Sequence, residues 1–487
     1  MGQLAYRTEA AIADFCLRKV MKVMKEDDPS KKLLKIINFS EKLSRGSYTG
    51  AGFANARKAV SDPNSRWMRW MRRAFDEIDE NILHTHFMNI AYRTGIWGIR
   101  QKIRLMNEHG CNIPSLILFD PTTACNMHCK GCWAAEYGNR YNLDFETMCS
   151  IVEQGRELGT FIFLMTGGEP TVRAKDIIRL AEKYPDCCFH LYTNGTLIDD
   201  AMCEEFRRLG NISVAISIEG FESETDSRRG EGSFSKALET MDRMKRHKLL
   251  FACSICYTSA NYKSVTSDDF LQLLIDHGCR LIWYFHYMPV GAGAVTSLLL
   301  NKEQRAEMIE RIRFLRSDES EMEIFPADFQ NDGQFVGGCI AGGRSYFHIN
   351  ANGDMEPCVF IHYSDSNIHE KTILEALKSP LFMAYHDGQP FNKNHLRPCP
   401  MLENPEFLRK IVRETGSKST DYSCPEDVDT VCARCDAYAS QWKDEANEMW
   451  QEFGPEHPLG TEEHLKTVAA KQAAMQTEYA EVHRKEA

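Results

Sequence analysis

Residues 115–133 read SLILFDPTTACNMHCKGCW, a short apolar run that leads directly into three closely spaced cysteines. Cys125, Cys129 and Cys132 have C-x3-C-x2-C spacing, and thiolates are soft ligands that select zinc or iron–sulfur clusters. A structural zinc site needs four protein ligands, usually in two separated pairs, whereas here only His128 lies within the segment as a fourth donor. The cysteine hook (residues 125–132) therefore favours an iron–sulfur cluster with one iron open to a small molecule.

The apolar run before the hook is the first of six similar runs. They occupy residues 115–122, 161–168, 188–195, 213–220, 250–258 and 281–291. Each is nearly continuous and rich in Val, Ile, Phe and Tyr, as strands buried on both faces should be. Amphipathic helical stretches separate the runs, and this alternation predicts a parallel sheet with right-handed crossovers. We therefore expect an α/β fold built on a (β/α)6 partial barrel.

Nearly every predicted strand ends in a polar or glycine-rich turn. These turns read DPTTAC, TGGEP, TNGT, SIEG and MPVG in chain order. The loops that follow the strands of a parallel barrel all open on one face, where active sites are built. We therefore expect the cysteine hook to lie at the mouth of the barrel beside the other four turns.

The chain of 487 residues is too long for one ordinary core, so several domains are expected. We predict an all-α N-terminal region, a barrel core, a small cysteine-rich extension and a helical, polar tail, at residues 1–112, 113–320, 321–445 and 446–487 respectively. Within the extension, Asn352-Gly353 is a strong signal for a tight hairpin turn.

The N-terminal region is basic although the whole chain has a net charge of −11. Its segment 65–78, SRWMRWMRRAFDEI, places Trp67, Trp70 and Met71 at helical spacing among four arginines. Such a helix suits a membrane surface, but a basic lid docked on the acidic body explains the same pattern. We favour docking and keep peripheral contact with the inner face of a membrane as the alternative.

The composition predicts a cytoplasmic protein. The start, MGQLAYRTEAAIADF, is polar and acidic where a secretory signal would be basic and then apolar, and no apolar run reaches the ~18 residues of a spanning helix. Disulfides are not sustained in that compartment, so the 18 cysteines need another explanation. Single cysteines in apolar or helical contexts are expected to be plain buried thiols, namely Cys16, Cys149, Cys203, Cys253, Cys256 and Cys279.

Taken with the loops, the hook resembles the signature of the radical S-adenosylmethionine (SAM) enzymes. The GGEP turn resembles the family loop that binds the methionine amino group, TNG and SIEG resemble the elements that hold ribose and carboxylate, and MPVG resembles the segment flanking adenine. The resemblance implies cofactor-binding roles for Gly167, Gly168, Glu169, Pro170, Asn194, Ser217, Glu219, Arg228 and Met288. The chain departs from the family at Gly131, where an aromatic residue commonly precedes the third cysteine, and has Trp133 after it.

The resemblance implies a [4Fe–4S] cluster, with SAM chelating its open iron. A reduced cluster passes one electron to the sulfonium, and the resulting 5′-deoxyadenosyl radical abstracts hydrogen from a substrate in anaerobic chemistry. A low-potential electron donor such as flavodoxin or ferredoxin is implied as a partner, and no nucleic acid is expected. No catalytic side chain is assigned, because the radical forms at the cluster. His286 and Tyr287, followed by Glu136 and Tyr137, are the residues we expect to face substrate.

A second metal region is predicted in the extension. Cys339 and Cys358 form a C-x13-G-x4-C pattern that resembles the start of the SPASM or twitch extensions, which hold auxiliary iron–sulfur clusters. We predict Cys339, Cys358 and Cys399 as ligands. Cys432 and Cys435 could complete the site, bind zinc or be buried thiols.

Three hypotheses for the function follow, and two of them differ in the substrate. SPASM-type extensions are typical of peptide maturases and sulfatase activators, so a peptide or protein is favoured. The basic, Trp-rich N-terminal helices indicate a membrane lipid or isoprenoid instead. The third hypothesis, an iron–sulfur scaffold without radical chemistry, conflicts with the complete set of SAM-binding turns.

Overall fold

The computed structural model describes residues 3–26, 28–43, 50–134, 140–291 and 293–453. Its N-terminal region is helical, and in the described part no strand precedes residue 116. The helices are α1 (Gln3–Met24), α2 (Ser30–Leu43), α3 (Gly50–Ser61), α4 (Arg66–Glu77), α5 (Glu80–Phe87) and α6 (Ile99–His109), with a π-helical segment, Met88–Gly98, before α6. In the described ranges, none of the helices is both long and apolar enough to cross a bilayer.

Six parallel strands form the centre of the molecule. They are β1 (Leu116–Phe119), β2 (Ile162–Met165), β3 (Cys188–Thr193), β4 (Ile212–Ser217), β5 (Phe251–Tyr257) and β6 (Leu281–His286). Each coincides with one of the six predicted runs, although β4 begins one residue before its run, and neighbours in sequence are neighbours in the sheet, so the α/β prediction is confirmed. The intervening helices are α7 (Phe145–Glu157), α8 (Ala174–Lys183), α9 (Asp200–Leu209), α10 (Glu222–Arg229), α11 (Ser233–Arg246), α12 (Asp268–Asp276) and α13 (Lys302–Arg316).

The sheet continues past residue 320 into the extension. Strand β7 (Phe325–Asp328) pairs with β6, and the hairpin of β8 (His348–Ile349) and β9 (Met355–Glu356) adds to β1 through β8. The hairpin turns at Asn352-Gly353, where Gly353 has φ +90°. Both open edges of the six-stranded barrel are thereby covered, which removes unpaired backbone groups from them.

The rest of the extension is made of short elements and one long helix. These are α14 (Gly333–Val336), β10 (Tyr363–Ser364), α15 (Ile373–Leu377), α16 (Pro380–Gly388), α17 (Pro405–Thr415), β11 (Lys418–Ser419) and α18 (Val428–Phe453). Helix α18 crosses the predicted boundary at 446, and the predicted tail beyond residue 453 lies outside the described residues.

The N-terminal helices dock on the sheet at the amino ends of its strands. Trp70 Nε1 donates a hydrogen bond to the carbonyl of Arg280, the residue before β6, at 3.0 Å. Asn89 Nδ2 donates to the carbonyl of Cys187, the residue before β3, at 3.1 Å. Since the turns that follow the strands lie at the opposite end, this region is a base under the barrel rather than a lid over its mouth.

The basic helix α4 contacts the acidic segment that leads into β7. Arg69 Nε lies 2.8 Å from Glu323 Oε1, and the Trp67 ring packs 6.0 Å, between centroids, from Phe325. The aromatic and cationic side chains that suited a membrane surface are therefore engaged by the protein's own body, as the docking interpretation expects.

Candidate active site

A cavity of about 270 Å³ opens at the carboxyl ends of the strands. All three hook thiols line it. So do Gly167, Gly168, Glu169, Asn194, Ser217, Arg228 and Met288. Of the residues predicted to bind cofactor, Pro170 and Glu219 lie outside its wall. The structure thus brings the hook and all four downstream turns to one place.

The GGEP turn is bonded to the chain that leads into the hook. Gly168 N donates to Thr122 O at 2.9 Å, and Glu169 N donates to Ala124 O at 2.7 Å. A Cβ on Gly168 would overlap Ala124 O, and one on Gly167, at φ +97°, would lie 2.6 Å from Thr122 O. Both glycines thus allow the neighbouring backbone to approach closely, and both line the cavity.

Glu169 joins the GGEP turn to the TNG turn. Its buried carboxylate accepts hydrogen bonds from Thr171 N at 3.0 Å, from Thr193 Oγ1 at 2.6 Å and from Asn194 N at 2.8 Å. Pro170 begins the 3-10 turn that Glu169 caps, which explains why Pro170 stands behind the wall. The Asn194 bond falls on Oε2, and a carboxylate oxygen has two lone pairs, so Oε2 keeps capacity for a second donor.

Glu219 forms ion pairs with two arginines, Arg228 and Arg229. Its fully buried carboxylate accepts from Arg229 Nε at 2.9 Å and from Arg228, while Cys256 N donates to Oε2 at 3.1 Å. Arg228 and Arg229 both line the cavity, and Arg229 Nη1 lies 3.9 Å from Cys129 Sγ. Glu219 therefore holds the two guanidinium groups in place instead of facing a ligand itself.

The hook offers three thiols, which are the donors that suit an iron–sulfur cluster. Its three thiols are partly exposed on one wall, and His128 is exposed and does not line the cavity. In the ranges the structure covers, no three His, Cys, Asp or Glu side chains are grouped to hold one metal ion. Burial raises the pKa of Cys125 to about 11 and also raises that of Cys129, where Arg229 opposes it. Metal binding would have to ionise both thiols.

The ring of Tyr287 occupies the space beside Gly131. Gly131 has φ +66°, and a Cβ there would lie 3.0 Å from Tyr287 Cε2 and from its hydroxyl oxygen. That hydroxyl accepts a hydrogen bond from Val295 N at 2.9 Å, and the buried ring lines the cavity. An aromatic residue is thus present next to the third cysteine, but it comes from the end of β6.

His286 and Tyr287, both expected to face substrate, line the cavity. His286 is buried, with Nε2 2.9 Å from the Tyr438 hydroxyl and Nδ1 2.7 Å from Tyr287 O. Burial lowers the pKa of His286 to about 3, so the ring is neutral. Glu136 and Tyr137 lie outside the described residues.

The remaining wall is mostly apolar and was largely missed from the sequence. Beside the polar Thr166, Thr193 and Ser254, it consists of Leu116, Leu118, Met127, Trp133, Leu164, Tyr192, Trp283, Phe285, Phe329, Ile340, Tyr346, Val359 and Phe360. The last five come from the extension, where no local signal marked them. Cys256, expected as a plain buried thiol, is instead partly exposed on this wall, because alternate residues of β5 face the barrel interior.

The three predicted auxiliary ligands also come together. Cys339, Cys358 and Cys399 line a second cavity of about 50 Å³, which shares walls with the first. Cys399 Sγ accepts from the backbone nitrogens of residues 401 and 402 at 3.4 Å each. Cys432 and Cys435 are buried on α18 but do not line this cavity.

A buried histidine joins the barrel to the hairpin of the extension. His348 Nε2 lies 3.0 Å from Asp120 Oδ1, and Nδ1 lies 2.6 Å from Glu356 Oε2. Burial by itself lowers the pKa of His348, but the two carboxylates outweigh it and raise that pKa to about 10. The Trp133 ring, which follows the hook, packs edge-on against this imidazolium at 6.1 Å between centroids.

Comparison with known proteins agrees with this geometry. The model of the Radical SAM superfamily matches residues 119–276. An AdoMet-dependent heme synthase of Oleidesulfovibrio alaskensis is 24% identical over 315 residues, 58% of this chain and 80% of that protein. A serine-type anaerobic sulfatase-maturating enzyme of Klebsiella aerogenes is 28% identical over 215 residues, 40% of this chain and 52% of that protein. The structure of Streptococcus suis SuiB bound to S-adenosylmethionine has 17% identity and a TM-score of 0.53, covering 69% of this chain and 81% of SuiB.

Proposed function

Because this chain is an enzyme of the radical SAM superfamily, whose members use a [4Fe–4S] cluster and SAM, we propose that it modifies a peptide or protein by radical hydrogen abstraction. The observation that carries the proposal is the single cavity shared by the hook, the four turns and an apolar wall. In this proposal Cys125, Cys129 and Cys132 hold the cluster.

When bound, the cluster and SAM supply the electron transfer and the radical. The residues of the chain bind and orient the cluster, SAM and the substrate, and they exclude water from the site. Glu169 would hold the amino group of SAM through a charge-assisted bond, and the Arg228 guanidinium would pair with the carboxylate of SAM. Asn194, Ser217 and Met288 would bind the ribose and adenine. The apolar wall keeps water from the reacting carbon.

We further propose an auxiliary iron–sulfur cluster on Cys339, Cys358 and Cys399. The support is their common cavity and the two backbone N–H groups aimed at Cys399 Sγ, a pattern suited to a thiolate. Cys432 and Cys435 pack beside this site and are not included as ligands. A low-potential flavodoxin or ferredoxin is proposed as the electron donor.

The peptide substrate is supported by the sulfatase-maturating relative from Klebsiella aerogenes, which is named for acting on a protein. A tetrapyrrole is the second candidate. It is favoured by the heme synthase relative and by the flat aromatic groups of the wall, such as Trp133, Phe285 and Phe329, which suit a planar apolar molecule. The lipid hypothesis loses its main support, since Trp67 and Trp70 pack on the barrel.

The test uses anaerobically reconstituted full-length protein with dithionite as reductant. Iron and sulfide are counted per chain, and formation of 5′-deoxyadenosine from SAM is followed. Deuterated peptides encoded beside the gene and deuterated iron coproporphyrin III are then compared as deuterium donors to 5′-deoxyadenosine. Transfer from a peptide supports the proposal, and transfer from the porphyrin alone replaces it with the second candidate. Absence of SAM cleavage in cluster-loaded protein would overturn both.

A further inference from the structure

Tyr346 stands between the two cavities. Its side chain lines both the active cavity and the smaller cavity with Cys339, Cys358 and Cys399. Its hydroxyl oxygen lies 2.8 Å from Cys358 Sγ. The residue is 3% exposed, and its ring packs against Phe329 at 5.7 Å between centroids.

We propose that Tyr346 is a positioning residue that sets the reduction potential of the auxiliary cluster from the wall of the active cavity. The inference rests on the proposed function, because it needs a cluster on Cys358. Tyr346 lies between Cys339 and Cys358 of the C-x13-G-x4-C pattern, at a position where that pattern specifies no residue type.

The chemistry follows from which partner can donate. A cysteine bound to iron is a thiolate, which has no proton, so the Tyr346 phenol must be the hydrogen-bond donor to Cys358 Sγ. Reduction places additional negative charge on the cluster and its sulfur ligands. A donor aimed at one ligand therefore stabilises the reduced form more than the oxidised form and raises the reduction potential.

The hydrogen bond between Tyr346 and Cys358 lies in an apolar environment. Tyr346 and Cys358 lie among apolar side chains, including Phe329, Ile340 and Phe360, each of which lines both cavities as Tyr346 does, whereas Cys358 lines only the smaller one. Hydrogen bonds to charged groups act more strongly where water is excluded. The same enclosure places Tyr346 against any substrate in the active cavity, so the residue connects the two sites directly.

Tyr385 provides a matched control. It is fully buried near the same three thiols, and within the described residues its hydroxyl has no hydrogen-bond partner. Tyr385→Phe removes a buried hydroxyl next to the cluster without removing a hydrogen bond to sulfur. Tyr346→Phe removes the bond and keeps the ring that separates the cavities.

The experiment is a potentiometric titration of reconstituted full-length protein, followed by electron paramagnetic resonance. Each variant carries Cys129→Ala, so that only the auxiliary cluster contributes to the signal. For Tyr346→Phe we expect the midpoint potential to fall by about 59 mV. For a one-electron couple this is about a tenfold change in the ratio of reduced to oxidised cluster. Tyr385→Phe should leave the midpoint unchanged.

The outcomes separate the inference from the proposal beneath it. An unchanged midpoint in Tyr346→Phe, with iron content equal to that of the parent, would overturn the role of Tyr346 and leave the auxiliary cluster standing. Equal shifts in both tyrosine variants would also overturn it, because they would reflect lost polarity rather than the bond. Absence of iron in the Cys129→Ala parent would instead refute the auxiliary cluster itself.

Discussion

The two ends of the same sheet are built in opposite ways. At the amino ends, side chains of the N-terminal helices bond directly to the carbonyls that precede the strands, as Trp70 does with Arg280 and Asn89 with Cys187. At the carboxyl ends, the turns bond mainly to one another and leave a cavity between them. One end is closed by packing and the other is held open by a polar network, so stability and ligand binding should respond to different substitutions.

The largest effect is expected at the hook. Cys129→Ala removes one of three proposed cluster ligands, so formation of 5′-deoxyadenosine from SAM should fall below detection while the helical circular dichroism is kept. Cys424→Ala, at an exposed thiol outside both cavities, is the matched control and should retain the parent's rate. Cleavage at the parent's rate by Cys129→Ala would contradict the assignment of the hook.

At the closed end the expected effect is on stability. Trp70→Ala removes a large packed ring and its hydrogen bond to Arg280, and should lower the free energy of unfolding by about 3 kcal/mol. Calorimetric titration should show SAM affinity within twofold of the parent. Phe39→Ala, at a side chain 50% exposed on α2, should change neither quantity. Weaker SAM binding in Trp70→Ala would show that the two ends are coupled.

Gly131→Ala is expected to weaken SAM binding at the carboxyl ends of the strands. The added Cβ would press on the Tyr287 ring, so SAM affinity should fall by about tenfold, about 1.4 kcal/mol. Gly110→Ala is the control: Gly110 has φ +63°, so its backbone is strained in the same way, but a Cβ there has no atom within 4 Å. That backbone strain lowers the free energy of unfolding by about 1–2 kcal/mol in either variant. Equal SAM affinities in the two variants would exclude a role for the Tyr287 contact.

At the junction of the barrel and the extension we expect a dependence of the unfolding free energy on pH, which originates at His348. Its pKa is about 10 in the folded protein and about 6.5 in an unfolded chain. The stabilisation is therefore full below about pH 6.5 and is lost as the pH rises toward 10, because only the native state keeps the proton. In urea titrations at a series of pH values across this range, the free energy of unfolding of His348→Gln should fall less with rising pH than that of the parent. An unaltered decline in His348→Gln would contradict the buried imidazolium.

By itself, the sequence determined the parts of this protein that depend on local pattern. Runs of apolar residues separated by amphipathic stretches specified β1–β6 and their order, since strand and helix periodicities are properties of a few adjacent residues. Parallel connection then placed Cys125, Glu169, Asn194 and Met288 at one face without further information. The C-x13-G-x4-C spacing likewise marked two thiols that the hairpin brings to one cavity.

Only the tertiary structure decided the contacts between distant segments. The two-residue strand β8 is too short to carry a periodic signal, and it forms because β1 offers it an open edge. Tyr287 beside Gly131, the pairing of Glu219 with Arg228 and Arg229, and Tyr346 against Cys358 each depend on which side chain fills a space. Packing at high density selects such neighbours, and the sequence pattern does not show which side chain will fill the space beside another.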